Sequence, residues 1–212
     1  MAYRPTEKTA ARKAALRVRL LDAALSIVSA DGFNALTINA VAQKAGIATG
    51  AVYKHFSSKA ELCAEVFRIA TEKELAVVRE SALRAGTPAT RLLDTIETFA
   101  TRALRGQRLA YALIAEPVDT LVDAERLRYR HAYAKIFQQL VDEGIRSGDF
   151  PQQASAVSAA ALVGVIAESL VGPLSWQMDT QSNIEQTSLI RSIQAFCLRA
   201  VAMQTMDHYR RR

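Results

Sequence analysis

Cysteine is nearly absent from this chain of 212 residues: Cys63 and Cys197 stand far apart and neither forms a CxxC pair. Such a chain needs no disulfide and suits a reducing cytoplasm, where we expect it to reside. Proline and glycine are scarce as well, five and nine residues, and with plentiful Ala and Leu this favours helix over strand. No stretch alternates convincingly as a strand, and there is no internal repeat or low-complexity tract. The opening MAYRPTEKTAARK lacks the apolar core of a signal peptide. The most apolar run, 156–174, is interrupted by Ser158, Glu168 and Ser169 and meets Pro173 near its end. It falls short of the ~20 clean apolar residues of a membrane span and reads as a buried helix, so no membrane partner is expected. Missing too are GxGxxG, Walker, HExxH and GxSxG motifs. His131 and His208 have no partners at metal spacing. We therefore expect no catalytic residues, no cofactor and no metal, with a helical enzyme of dispersed active-site residues as the remote alternative.

What is present is a lopsided charge. Residues 1–60 hold nine Lys or Arg against three acids (Glu7, Asp22, Asp31), whereas 61–212 hold eighteen of each sign. The whole net charge of +6 thus sits in the first sixty residues. That is the footprint of a nucleic-acid-binding module joined to a neutral one, or of a basic solubilising tail.

The fold class is all-α. Leu16, Leu20, Ala24, Ile27 and Val28 recur at helical spacing from about Arg12 to Ala30, and Asp31-Gly32 stops that helix. Thr37 is a good N-cap for a second helix, INAVAQKA. Gly46 breaks the chain, and a third helix is predicted from about Thr49 to His55. Ser58 and Glu61 form a capping box for a fourth helix with Leu62, Val66, Ile69 and Val77 on a stripe. Thr87 and Pro88 cap the next. Further helices are predicted near 89–105, 107–115, 119–147, 153–171 and 184–208, separated at Gly106, Pro117, 148–151 and Gly172-Pro173. The organisation predicted is a basic arm (1–11), a DNA-binding unit (12–60), a connecting helix (61–86) and a larger helical domain (87–212).

Two short helices around a Gly-containing turn at Ala45–Ile47 make a helix-turn-helix. In such a unit the start of the second helix enters the major groove while neighbouring elements grip the backbone. Short side chains at Ala48, Thr49, Gly50 and Ala51 let it approach closely, and the Thr49 hydroxyl can meet a base edge or a phosphate. Tyr53, His55 and Lys59 can donate to phosphate oxygens, with Lys54 near the groove floor or wall. Contacts to phosphate set register without specifying sequence.

The run TINAVAQKAGIATGAVYKHFSSKAEL resembles the DNA-binding segment of the TetR family of bacterial transcriptional regulators. The matching pieces are Gly32-Phe33, Thr37, Val41-Ala42, Ala45-Gly46, Gly50, Tyr53, His55-Phe56, Lys59 and Leu62. The resemblance implies that Thr37, Tyr53, His55 and Lys59 contact phosphates. It implies that Asn39, Thr49, Gly50, Ala51 and Lys54 lie where bases are read. Phe33, Val41 and Phe56 would hold the small bundle together. The basic arm before residue 12 either reaches along the DNA or is plain disorder.

For residues 87–212 the resemblance implies a domain that dimerises and houses a small-molecule pocket, in a repressor that its effector releases from the operator. A DNA-binding dimer without a small ligand is the alternative. Small residues on the last two helices (Ala160, Gly164, Ala167; Ile193, Cys197, Ala200, Val201) fit a four-helix dimer interface or an ordinary core. Pocket candidates are Phe99, Arg102, Ala103, Tyr111, Leu113, Ile114, Phe137, Glu168 and Trp176. Arg102 and Glu168 interrupt apolar faces, so they hold a ligand or pair with each other or a neighbour.

Overall fold

The computed structural model describes residues 7–175 and 183–203, all of whose regular structure is helical. Nine α-helices follow in order among them: α1 (Glu7–Asp31), α2 (Ile38–Ala45), α3 (Thr49–Val52), α4 (Lys59–Ala82), α5 (Pro88–Arg105), α6 (Gln107–Ile114), α7 (Thr120–Ser147), α8 (Ser155–Leu174) and α9 (Asn183–Ala202). A single 3-10 turn, Phe33–Ala35, links α1 to α2.

Two compact units result. One gathers the chain up to Thr71 together with Arg108–Arg126; the other takes Glu72–Gln107 and the chain from Leu127 onward. This division differs from the sequence reading, which placed 108–126 wholly in the larger domain. In the first unit α1 packs on α2, and α2 on α3. Leu20, Ala24 and Val28 meet a core of Phe33, Val41, Val52, Phe56, Leu62, Val66 and Phe67, all at most 2% exposed. Burying each large side chain of this set stabilises the unit by about 1.5–3 kcal/mol. The rings of Phe33 and Phe67 lie 6.3 Å apart. The fourth-helix stripe runs through Leu62, Val66, Ala70, Leu75 and Val78, while Ile69 and Val77 are only half-buried.

The joint after α1 depends on a distant acid. Glu116, 2% exposed, accepts from the backbone N–H of Phe33 and of Asn34, each at 3.0 Å. Arg108 donates to the Asp31 carbonyl on the same corner. Gly32 sits between them at φ 81° and ψ −178°, a region open essentially to glycine. A Cβ there would lie 2.5 Å from the Glu116 carboxylate and 2.6 Å from the Arg108 guanidinium. Arg126 donates to the carbonyls of Leu113 (3.1 Å) and Glu116 (2.7 Å) and lies 5.7 Å from the Phe67 ring centre.

In the second unit α5 packs on α8 and α9, and these two on each other. Arg91 holds the end of α4 by donating to the Ala82 carbonyl and pairs with Glu143 at 2.5 Å. Ala159, Leu162, Ile166, Leu170 and Leu174 form the buried stripe of α8. Two expectations are corrected here. The helix does not stop before Gly172-Pro173 but carries on to Leu174, because a proline so near the C-terminal end costs only one backbone bond. At 20 residues it is therefore long and apolar enough to cross a membrane by length and composition. In this fold one face of it packs against α5 and α9.

Two further boundaries move. The first helix begins at Glu7, inside the predicted arm, because Glu, Lys, Arg and Ala are strong helix formers even without an apolar stripe. The third ends at Val52 rather than His55, its last turn loosening into a turn over Tyr53–His55.

Candidate nucleic-acid interface

Each half of the helix-turn-helix is held by its own backbone. The Thr37 side chain accepts from the Ala40 N–H at 3.1 Å, as an N-cap should. Gly46 ends α2 in the left-handed region, φ 66° and ψ 40°, and its neighbour Ile47 donates back to the Ala42 carbonyl at 3.0 Å. Arg19 of α1 donates to the Ala45 carbonyl, tying the turn to the first helix. The α3 helix is only four residues long. Val52 and Phe56, four apart and buried, anchor it, so the residues between and before them face outward.

The outward face carries the predicted DNA set. Thr37, Asn39, Ala48, Thr49, Gly50, Lys54 and Lys59 are exposed, as is Tyr53 at 55%, while Ala51 and His55 are half-buried. The Thr49 hydroxyl donates to the Asn39 side-chain oxygen at 3.1 Å, joining the two helices across the turn. Nothing lies within 4 Å of where a Gly50 Cβ would be, so this glycine answers no demand of the fold itself. The α4 N-terminus departs from the predicted capping box in one detail. Ser58 accepts from the Glu61 N–H at 3.1 Å, but Glu61 reaches back to the Ser57 N–H (2.7 Å) and hydroxyl (2.6 Å).

Cations surround this face. Arg17 of α1 lies 4.5 Å from the centre of the Phe56 ring and pairs with Glu65 at 3.0 Å. Burial, and then the charges of Lys13 and Arg17, hold the His55 imidazole below its ordinary pKa of 6.5. Its Nδ1 is buried without a hydrogen-bond partner among the described residues. Arg17, Arg19, Gly32 and Glu116 all help form this unit, and sequence reasoning assigned none of them a partner. The one available signal for Glu116 was an acid lodged between the apolar YALIA run and Pro117.

A stretch of the sequence matches one family. Residues 20–66 match the model of bacterial regulatory proteins of the tetR family. Over this segment the chain is similar to the TetR family. Members are transcriptional regulators, so the enzyme alternative ends here. The HTH-type transcriptional repressor KstR2 of Rhodococcus jostii is 28% identical over 142 residues, which cover 65% of this chain and 69% of that protein. The repressor KstR of Mycolicibacterium smegmatis is 40% identical over 76 residues, or 37% of its length, so that likeness spans little more than a third of the relative. Among solved structures, the transcriptional regulator FadR of Bacillus subtilis, in complex with stearoyl-CoA, superposes with a TM-score of 0.72. It is 19% identical and covers 87% of this chain and 98% of that one, a likeness of fold.

The pocket candidates are divided between the two units. Phe99, Arg102, Ala103, Phe137 and Glu168 belong to the second unit, whereas Tyr111, Leu113 and Ile114 fall in the first. Trp176 lies outside the described residues. Arg102 pairs with Glu74 at 2.6 and 2.9 Å, and Glu168 is exposed, so the two do not pair with each other. A two-pronged carboxylate was available 28 residues upstream, and the planar guanidinium takes it in preference. Phe99 stacks edge-on to Tyr133 at 5.3 Å and Phe137 is fully buried.

Proposed function

We propose that this protein is a homodimeric, ligand-responsive transcriptional repressor that binds a specific operator in the cytoplasm and is released from it by a small molecule. The observation that carries the DNA-binding part is the solvent-facing row Thr37, Asn39, Thr49, Gly50, Tyr53, Lys54 and Lys59 on a helix-turn-helix with buried anchors. Ala48, Ala51 and His55 complete the row from less exposed positions or with little side chain. Phosphate contact is assigned to Thr37, Tyr53, His55 and Lys59, base reading to Asn39, Thr49, Gly50, Ala51 and Lys54.

Dimerisation is supported by the sides of α8 and α9 turned away from their own core. Val157 (69%), Ile184 (82%) and Phe196 (52%) are exposed there, alongside exposed Ala160, Gly164 and Ala200. Ile193, Cys197 and Val201, once candidates for the same interface, point into the unit instead. A dimer would carry two recognition helices, one for each half-site of an operator whose half-sites lie about 34–36 Å apart on successive major-groove faces. For the effector, the resemblance to regulators with a C-terminal pocket is the support. The stearoyl-CoA complex of the fold neighbour makes long-chain acyl-CoA thioesters the first compounds to test.

Selection of duplexes from a random pool by the purified protein tests the core of this reading, and an enriched palindrome is the expected result. Thermal shift and operator competition with acyl-CoA thioesters then test the effector. A ligand that favours the released form must be bound more weakly in the presence of operator, by the factor it weakens DNA binding. A compound that binds tightly and leaves operator affinity unchanged is not the inducer. If no compound acts, the regulator without a small ligand is the better reading.

Two residue-level outcomes follow from the phosphate assignments. Lys59→Ala should weaken binding to every duplex and make the salt dependence shallower by about 0.9 in log–log slope. An unchanged slope removes Lys59 from the phosphate list. His55 should give a pH dependence. Its lowered pKa keeps the folded, DNA-free imidazole neutral near pH 7, so the unfolded chain takes the proton more readily and this group costs stability as pH falls below about 7. A phosphate beside it favours the charged ring, reversing the sign in the complex. Duplex affinity should therefore rise as pH drops from 7.5 to 6, by at most about tenfold per unit and chain, and His55→Gln should flatten that rise. Equal pH profiles for the two proteins would place His55 away from the backbone.

A further inference from the structure

Directly after the Glu7 that opens α1 comes a stretch built unlike any other helical stretch among the described residues. Residues 8–15 read Lys-Thr-Ala-Ala-Arg-Lys-Ala-Ala: three cations, four alanines, one threonine and no acid. Every one of the eight is exposed, so no face of this segment packs on a core. A solvated helix normally interleaves acids with its bases, since opposite charges four apart support it and like charges oppose it. Here Lys8 and Arg12 are four apart with the same sign, and no ion pair among the described residues engages Lys8, Arg12 or Lys13. Isolated helices of this length are marginal in water, so the segment gains little by itself from its form. Its cations await an anionic partner.

Two rows of cations run from the helix-turn-helix into this segment. By helical periodicity Lys8, Arg12 and Arg19 share one face, and Arg19 is the residue that donates to Ala45 at the α2–α3 turn. Lys13 and Arg17 share another face, and Arg17 covers Phe56, just past α3 and beside His55. One cation row thus has its root at the last residue of α2 and the other just past α3, and residues 8–15 carry both on by about 12 Å, eight residues at ~1.5 Å each. Alanine at 10, 11, 14 and 15 leaves no bulk to hold a ribbon of phosphates at a distance.

We propose that residues 8–15 of α1 form a helical backbone clamp, in which Lys8, Arg12 and Lys13 grip phosphates of duplex DNA flanking the stretch read by α3. The clamp rests on the DNA-binding reading above. It adds affinity and footprint but no base preference, because contacts to phosphate carry no sequence information.

The test compares wild type with the triple variant Lys8→Gln, Arg12→Gln, Lys13→Gln, on a duplex recovered by selection and on a mixed-sequence duplex of about 40 base pairs. Hydroxyl-radical footprints and affinities over a salt series are the readouts. The variant should keep its melting temperature, since none of the three side chains is buried. Its log–log salt slope should become shallower by about 2–3 per bound chain, near 0.9 per phosphate released, on both duplexes. The outermost backbone protections should disappear while the selected sequence stays the same. Restoring charge with Lys8→Arg, Arg12→Lys and Lys13→Arg should restore slope and protections. Unchanged slope and footprint in the glutamine variant, with wild type binding normally, would overturn the clamp and leave the helix-turn-helix intact. Wild type that shows no salt-dependent binding to either duplex would overturn the DNA-binding reading and the clamp with it.

Discussion

Glu116→Ala should lower the unfolding free energy by about 2–4 kcal/mol, since a buried backbone donor at Phe33 loses its acceptor at ~1–3 kcal/mol and a part-buried one at Asn34 loses its own at about 1 kcal/mol. Phe33 and Asn34 give their N–H groups to that one carboxylate, and nothing else on the corner is described as receiving them. Glu116→Gln should do less harm, because the amide keeps one oxygen able to accept from one of the two donors. Gly32→Ala attacks the same corner from the other side. It strains a backbone region closed to other residues and drives a methyl group to 2.5 Å from the carboxylate. Urea denaturation of the four proteins checks this. The order expected is wild type, Gln, then the two alanine variants. Wild-type stability in Glu116→Ala would show that water satisfies the corner and that the acid is dispensable.

A second large effect should leave stability alone. Gly50→Leu places its side chain in open space, and replacing a helical glycine gains up to about 1 kcal/mol in propensity. The protein should melt no lower than wild type. Affinity for the selected duplex should nevertheless fall by about 100-fold or more, near 2.7 kcal/mol, because the added bulk stands where α3 must approach the groove. Since Gly50→Leu removes no hydrogen bond and opens no cavity, a loss of binding can only be steric. Wild-type affinity in this variant would move the DNA surface away from the start of α3.

Taken together, the two substitutions separate features of very different legibility. The Gly50 position could be read in the sequence because its surroundings are set within a few residues. Thr37 caps α2 by accepting from an N–H three residues on, Gly46 turns the chain by its own φ, and Val52 and Phe56 bury one side of α3. The same short range explains why Phe33, Val41 and Phe56 were identifiable as core and why α5 starts at Thr87-Pro88. Helix ends were less secure where no cap marks them. The start of α1 at Glu7 and the passage of α8 through Pro173 came from backbone continuity that composition only permits.

By itself, then, the sequence determined an all-helical chain, a basic N-terminal third, and a helix-turn-helix whose outward residues could be named. Local hydrogen bonds and the 3.6-residue period carry that information over distances of three to eight residues. Tertiary structure alone decided the pairings across 28 to 83 residues: Arg102 with Glu74, Arg17 with Glu65, and Glu116 with the backbone after α1. It also decided that residues 108–126 join the unit containing the helix-turn-helix, and which sides of α8 and α9 are left bare. Any of several nearby acids could have met each of these arginines or donors. Only the packed backbone chooses among them, because a salt bridge or a buried cap depends on where chain segments are brought together, and no local pattern records that.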